Sequence, residues 1–285
     1  MNSAQTTANP EPVQVIAVAG AGNGSGRTSV AVNLAAALAN RGHRTMLLDG
    51  DPALADVAAA LDLHPRYGLA DVIAGRCDLA SILLDGPSGL RVVPAGANQS
   101  RLTALSAAQS RGLIAAFSDL DETPDVLVVD TAAGAGSATR QFIQAAGEVL
   151  VVVGGESPAL HQNRDLIRAL GGRAGHTRFR VLVNRSDDSC GAEVAERLAR
   201  LTEAEVEVAL HYVGAIPDDP QIERARALGL PVVNAFAHSP AGRAYKRLAR
   251  RIESWAPPPR HRGGAAFFIE RVIRSHQPMQ CQAST

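Results

Sequence analysis

The sequence predicts an α/β fold in which a mainly parallel sheet is flanked by helices. Three observations predict it: short Val/Ile/Leu runs bounded by Gly, Asp or Pro recur along the chain, Ala/Leu/Arg segments with helical spacing lie between them, and a glycine-rich run joins the first apolar strand to the first helix. Strands buried on both faces read as continuous apolar runs rather than alternating ones. The expected strands are 13–19, 44–48, 90–93, 126–129, 149–153, 178–183 and 206–213. The expected helices are 28–40, 106–117, 136–145, 158–170, 192–201, 220–228 and 241–254.

With 285 residues, 46% hydrophobic and 20% charged, the chain can bury one large domain and carry a tail. Its 28 basic residues balance 28 acidic ones, so no net charge drives bulk nucleic-acid binding, although a local basic patch is compatible with that balance. Cys77, Cys190 and Cys281 are widely spaced, odd in number and without a CxxC pair, which suits a reducing compartment and points to the cytoplasm. Residues 1–12 lack a basic region followed by an apolar core, and no stretch approaches the roughly 18 apolar residues of a membrane span, so neither secretion nor membrane integration is expected. The eight histidines show no metal-ligand spacing. After Trp255 the Pro- and Gly-rich run 257–264 reads as a linker. The expected organisation is a flexible start (1–12), a domain (13–255), a linker (256–264), an amphipathic helix (265–276) and a flexible tail (277–285).

The run Gly20-Ala21-Gly22-Asn23-Gly24-Ser25-Gly26-Arg27-Thr28 follows the first strand and opens a helix. There, glycines let backbone N–H groups turn toward an anion, and the helix N-terminus adds its positive dipole end. No register satisfies G-x-G-x-x-G. The Walker pattern G-x-x-x-x-G-K-[ST] is met in part: Gly26 and Thr28 fit, while its first glycine falls on Ala21 and its lysine on Arg27. The same run also reads as a glycine-rich turn with no ligand. Downstream, the strand 126–129 leads into Asp130-Thr131-Ala132-Ala133-Gly134. An acid at that strand end is placed to hold Mg²⁺ through water, or to cap a helix. Asp49-Gly50-Asp51 ends another strand and either orients water and magnesium or forms an Asp-Gly turn.

Beyond these motifs, the segments Val13-Gln-Val-Ile-Ala-Val, Val32-Asn-Leu-Ala-Ala-Ala-Leu, Gly68-Leu-Ala-Asp-Val-Ile-Ala-Gly-Arg-Cys-Asp-Leu, Gly89-Leu-Arg-Val-Val-Pro-Ala and Asp125-Val-Leu-Val-Val-Asp-Thr-Ala-Ala-Gly closely resemble the MinD/ParA-type regulators of flagellar number called FleN or FlhG. The resemblance runs from about Val13 to the final helix. It implies a P-loop NTPase fold of the deviant Walker class, with ATP and Mg²⁺ as cofactors and a homodimer closed around two ATP molecules. Carried onto matching positions, it puts the nucleotide against Gly22, Asn23, Gly24, Ser25, Gly26, Arg27, Thr28 and Ser29, with the adenine lined by Asn184, Pro217 and Asp218. It makes Thr28 and Asp130 the magnesium side and Asp51 the catalytic, water-orienting carboxylate.

The loop departs from the family. Gly22 stands where the signature lysine would reach the partner's phosphates, Arg27 replaces the Walker lysine, Asn23 replaces a glycine, and Asp56 stands where asparagine is usual and reads as a solvated helix-start acid. A cation delivered in trans is worth about three to five decades of rate, so hydrolysis is expected to be weak. The resemblance implies a flagellar AAA+ transcriptional activator as partner, or a flagellar signal-recognition-type GTPase. No DQ-rich N-terminal activator motif is present, which favours the activator. Two other readings stand beside this switch: a nucleotide-independent protein-binding module, and a DNA-partition ATPase that the neutral charge disfavours.

In 265–276, Ala265, Phe268, Ile269, Val272 and Ile273 share one helical face, and Glu270, Arg271 and Arg274 the other. Such a helix either rests peripherally on the inner membrane or folds back on its own domain or the dimer partner.

Overall fold

The structure, a computed structural model, describes residues 12–51, 56–95, 106–120, 122–172, 176–203, 205–255 and 264–274. The expected N-terminal segment before Pro12, the linker before Gly264 and everything after Arg274 lie outside the described residues.

Strands β1 (Gln14–Ala19), β2 (Thr45–Gly50), β3 (Leu84–Asp85), β4 (Arg91–Val93), β5 (Val126–Thr131), β6 (Glu148–Gly154), β7 (Arg178–Asn184) and β8 (Ala209–Ile216) form one sheet in the order β3-β4-β2-β5-β1-β6-β7-β8. Every neighbouring pair is parallel except β3 with β4. Side chains alternate across a strand, so each strand feeds two cores. Val15, Ala17 and Ala19 of β1 pack into one core, while Ile16 and Val18 pack into the other.

Helices α1 (Arg27–Ala39), α2 (Asp56–Ala60), α8 (Gln221–Ala227), α9 (Val232–Ala235) and α10 (Pro240–Glu253) cover one face of the sheet. Helices α3 (Leu69–Ile73), α4 (Ala107–Ser118), α5 (Ser137–Ala145), α6 (Ser157–Leu170), α7 (Asp188–Glu203) and α11 (Ala265–Arg274) cover the other. The expected sheet flanked by helices is therefore present.

The differences from expectation have local causes. Helices α2, α3 and α9 are five, five and four residues long, too short for a 3.6-residue period to register. The two-residue β3 pairs antiparallel at the sheet edge. The last strand, expected at 206–213, lies three residues later because it continues through Gly214, which sits in positive φ beside a bulge in the β7–β8 register. Helix α7 starts at Asp188 rather than 192, its polar first turn held by Asp187, whose carboxylate accepts the Cys190 N–H at 2.9 Å.

Helix α11 rests on its own domain. Ala265, Phe268, Ile269 and Val272 are buried in the core against α4 and α5, and Phe268 stacks on Phe142 with ring centroids 6.3 Å apart. Arg271 Nη2 donates to the Gln144 carbonyl at 2.5 Å. Of the two readings of this amphipathic helix, the structure shows the one in which its apolar face is covered by its own domain. No helix among the described residues is long and apolar enough to cross a membrane. Because Phe268 is 2% exposed, Phe268→Ala is expected to cost about 3 kcal/mol or more of unfolding free energy in a urea titration. A cost near zero would mean that α11 is not seated there.

Candidate functional site

The site is assembled at the carboxyl ends of β1, β2, β5 and β7. Their registers set Val18 beside Asp130, Asp49 beside Asp130, and Gly50 beside Thr131. The glycine loop springs from β1 and closes on α1 through Gly26, whose φ of 88° belongs to the left-handed region. A Cβ at Gly26 would lie 2.2 Å from Asn184 Nδ2, so both conformation and space demand glycine. Asn184 closes the loop from β7, donating through Nδ2 to the Ser25 carbonyl at 2.9 Å.

Arg27 lies beneath the loop, 6% exposed. Its Nη1 donates to the Gly22 carbonyl at 2.6 Å, to Ser25 Oγ at 3.0 Å and to the Gly20 carbonyl at 3.4 Å, while Nε donates to the Thr131 carbonyl at 3.1 Å. Burial pulls the guanidinium below its ordinary pKa, against the opposing pull of Asp130 and Asp51. An ammonium could not take these four acceptors in one plane, so arginine here serves as an internal strut of the loop.

Three carboxylates gather behind it. Asp130 is 1% exposed, hydrogen-bonded to the Thr28 side chain, and its Oδ1 has no hydrogen-bond partner among the described residues. Asp49 is 2% exposed; its Oδ1 accepts the Asp51 N–H at 3.1 Å and its Oδ2 is likewise unpartnered. Burial pushes the carboxyls of both Asp49 and Asp130 up to about 7, with neighbouring carboxylates adding to the rise. Asp51 is buried beside them. An orphan buried carboxylate oxygen next to a threonine hydroxyl is a donor set that fits Mg²⁺, which prefers oxygen ligands and completes its shell with water and phosphate.

In front of the loop opens a cavity of about 270 Å³. Asn23, Gly24, Gly26, Arg27, Thr28 and Ser29 line one side, and Asn184, Pro217 and Asp218 the other. Of the expected nucleotide-binding residues, Gly22 and Ser25 fall outside this lining, as do the expected catalytic Asp51 and the expected magnesium-side Asp130, which are buried behind it. Asp56, expected to be solvated, begins α2 half-buried and lines the cavity, close enough to raise the Asp130 pKa.

Comparisons with known proteins bear on the family and the fold. Residues 16–232 match the family model described as the CobQ/CobB/MinD/ParA nucleotide binding domain. The chain is 46% identical over 264 residues to the antiactivator FleN of Pseudomonas aeruginosa, covering 92% of this chain and 94% of that protein. This chain belongs to the MinD/ParA family, in its FleN-like branch. The flagellum site-determining protein YlxH of Helicobacter pylori is 23% identical over 73% of this chain and 71% of its own length. Among solved structures, MinD of Pyrococcus horikoshii complexed with Mg-ADP shares the fold, with a TM-score of 0.65 and 22% identity, covering 85% of this chain and 96% of that one.

For a FleN-like protein, several site features are legible only in the structure. Asn33 of α1 donates to the Ser29 carbonyl at 2.9 Å and accepts the Val232 N–H at 2.6 Å, tying the cavity floor to α9. Tyr245 of α10, fully buried, is hydrogen-bonded to Ser29. Asp219, next to the expected Asp218, caps two backbone N–H groups, those of Gln221 and Ala241, both at 2.9 Å. One further signal was present in the sequence: Lys246 is the chain's single lysine, and it does not line the cavity. This chain therefore brings no lysine of its own to the cavity.

The raised carboxyls set a pH dependence. A carboxyl whose pKa is higher folded than unfolded holds its proton more tightly in the native state, so stability falls as pH rises from about 4 through about 7 and levels off above. Asp125 and Glu253, held down by Arg44 and Arg41, act only below that window. In magnesium- and nucleotide-free protein, thermal melts are expected to show a higher Tm at pH 5 than at pH 7.5. Asp130→Asn is expected to flatten the slope; an unchanged slope would contradict the assignment.

Proposed function

We propose that this chain is a cytoplasmic regulator of flagellar number that binds Mg-ATP in the cavity before its glycine loop, forms a homodimer in that state, and restrains a flagellar AAA+ transcriptional activator. The observation that carries the reading is Asp130, a buried carboxylate with an orphan oxygen beside the Thr28 hydroxyl. A buried carboxylate oxygen without a hydrogen bond is costly, and a divalent cation at that point would remove the cost. Kinship with the antiactivator FleN supports the regulatory role and the choice of partner. A flagellar signal-recognition-type GTPase is the second candidate partner.

When bound, Mg²⁺ supplies charge neutralisation at the phosphate oxygens. The residues that would hold it are Thr28 and Asp130. Asn184, Pro217 and Asp218 form the wall suited to the base, and Asp51 is the carboxylate suited to orient a water. Arg27 uses Nη1 on the loop and Nε on the end of β5, and no hydrogen bond from Nη2 is found among the described residues, so that edge of the guanidinium is the one an anion would meet. Turnover is slow because Gly22 offers no cation in trans. A peripheral inner-membrane contact through 265–276 requires α11 to leave its seat on α4 and α5.

Equilibrium titration with a fluorescent ATP analogue and Mg²⁺ tests the reading. Saturable binding is expected, weakened tenfold or more by Asp130→Asn; no saturable binding by the wild type at millimolar nucleotide would remove the switch. A Gly22→Lys, Arg27→Lys double variant is expected to raise ATP turnover. A side chain at position 22 first meets the flexible end of Gln162, whose Oε1 is 3.2 Å from where a Cβ would stand. A nucleotide-independent binding module is favoured by one specific observation, the engagement of Arg27 with loop carbonyls. That reading expects Asp51→Ala to keep full activity on flagellar number.

A further inference from the structure

Helix α6 carries an anomaly in its buried stripe. Leu160, Leu166, Ile167 and Leu170 face the core, and Asn163 stands among them, 1% exposed. Asparagine is a poorer helix former than leucine, and its amide is costly to bury unless both ends are satisfied. Here they are. Nδ2 donates to the Ala159 carbonyl at 2.9 Å, and Oδ1 accepts the Ala21 N–H at 3.1 Å, across 142 residues of sequence.

The Ala21 N–H belongs to the peptide plane that leaves β1 and enters the glycine loop. The carbonyl of that same plane, Gly20, accepts from Gly134 N at 3.1 Å and from Arg27 Nη1 at 3.4 Å. N–H and C=O of a trans peptide point in opposite directions and cannot rotate independently. A plane held at its carbonyl by α1 and the β5–α5 turn, and at its N–H by α6, therefore has one orientation. The next planes inherit it: the Gly22 carbonyl is held by Arg27 and the Ser25 carbonyl by Asn184. Of these holds, Asn163 is the one that comes from α6. Gln162, beside it, abuts Gly22.

We infer that Asn163 is a positioning residue of the phosphate loop: its amide oxygen fixes the first peptide plane of the loop and makes the loop's geometry depend on where α6 sits. Where nucleotide binding is concerned this rests on the function proposed above, but the anchoring itself does not. A ligand on the outward side of α6, where Gln162 and His161 are exposed, would reach the loop through this one hydrogen bond.

The test compares Asn163→Asp, which keeps an acceptor for Ala21, with Asn163→Leu, which removes it on a side chain branched at the same carbon. Amide exchange at Ala21 is measured by NMR on nucleotide-free protein. The Leu variant is expected to exchange at Ala21 tenfold or more faster than wild type, with β5 and β6 amides unchanged, and the Asp variant to retain wild-type protection. Should the Leu variant not fold, Asn163→Ala takes its place in the same comparison. Unchanged Ala21 exchange in the Leu or Ala variant, or loss of protection in a folded Asp variant, would overturn the inference. Titration with the fluorescent ATP analogue then reads the consequence: tenfold or more weaker binding by the Leu variant and recovery by the Asp variant. A wild type that binds no analogue would sink the proposed function, while the exchange comparison would still decide the role of Asn163.

Discussion

The architecture of the site depends on one buried guanidinium. Seven residues from Gly20 to Gly26 must turn from a strand to a helix with few side chains to hold them, and a loop so rich in glycine loses much entropy on ordering. Arg27 offsets that loss from beneath, gathering two loop carbonyls, a loop hydroxyl and the end of β5 onto one planar group. Asn184 and Asn163 finish the work from the two sides. The loop is thus shaped by its own protein, and the buried carboxylates of Asp130 and Asp51 compensate the charge that does the shaping.

This arrangement gives the Lys-to-Arg change at position 27 a physical meaning that a motif comparison lacks. An ammonium on a flexible stem acts as a point charge for phosphate, whereas a guanidinium is a fork of donors that suits several carbonyls at once. Substituting one for the other shifts the residue from ligand contact toward loop support. Lys246, the chain's single lysine, does not line the cavity, so the cations that do are arginines.

How much of this was legible in the sequence follows from what periodicity can carry. The long parallel strands and helices announced themselves through apolar runs and spacing, and the two strand-end acids were visible because Asp interrupts an apolar run. Short helices such as α2 and α9 fall below one reliable period, and Gly214 reads as a boundary although β8 runs through it. The cavity wall at Asn184, Pro217 and Asp218 came only through family resemblance, because nothing in their local pattern brings β7 and the segment after β8 toward the loop. The seat of α11 was likewise open: an amphipathic stripe states that a face needs covering, and only the fold shows that α4 and α5 cover it.

The contact between Gly26 and Asn184 has a consequence for how such a protein can drift. Position 22 has only the flexible end of Gln162 near the place a side chain would take, and Gly24 has nothing within 4 Å. Position 26 has no such freedom, since the smallest side chain would strike the Asn184 amide. Position 26 is thus constrained twice over: a smaller residue 184 would clear the space, and the left-handed backbone would still favour glycine. A relative that keeps glycine at 26 has kept a backbone shape, and that shape is a separate matter from the charges set around it.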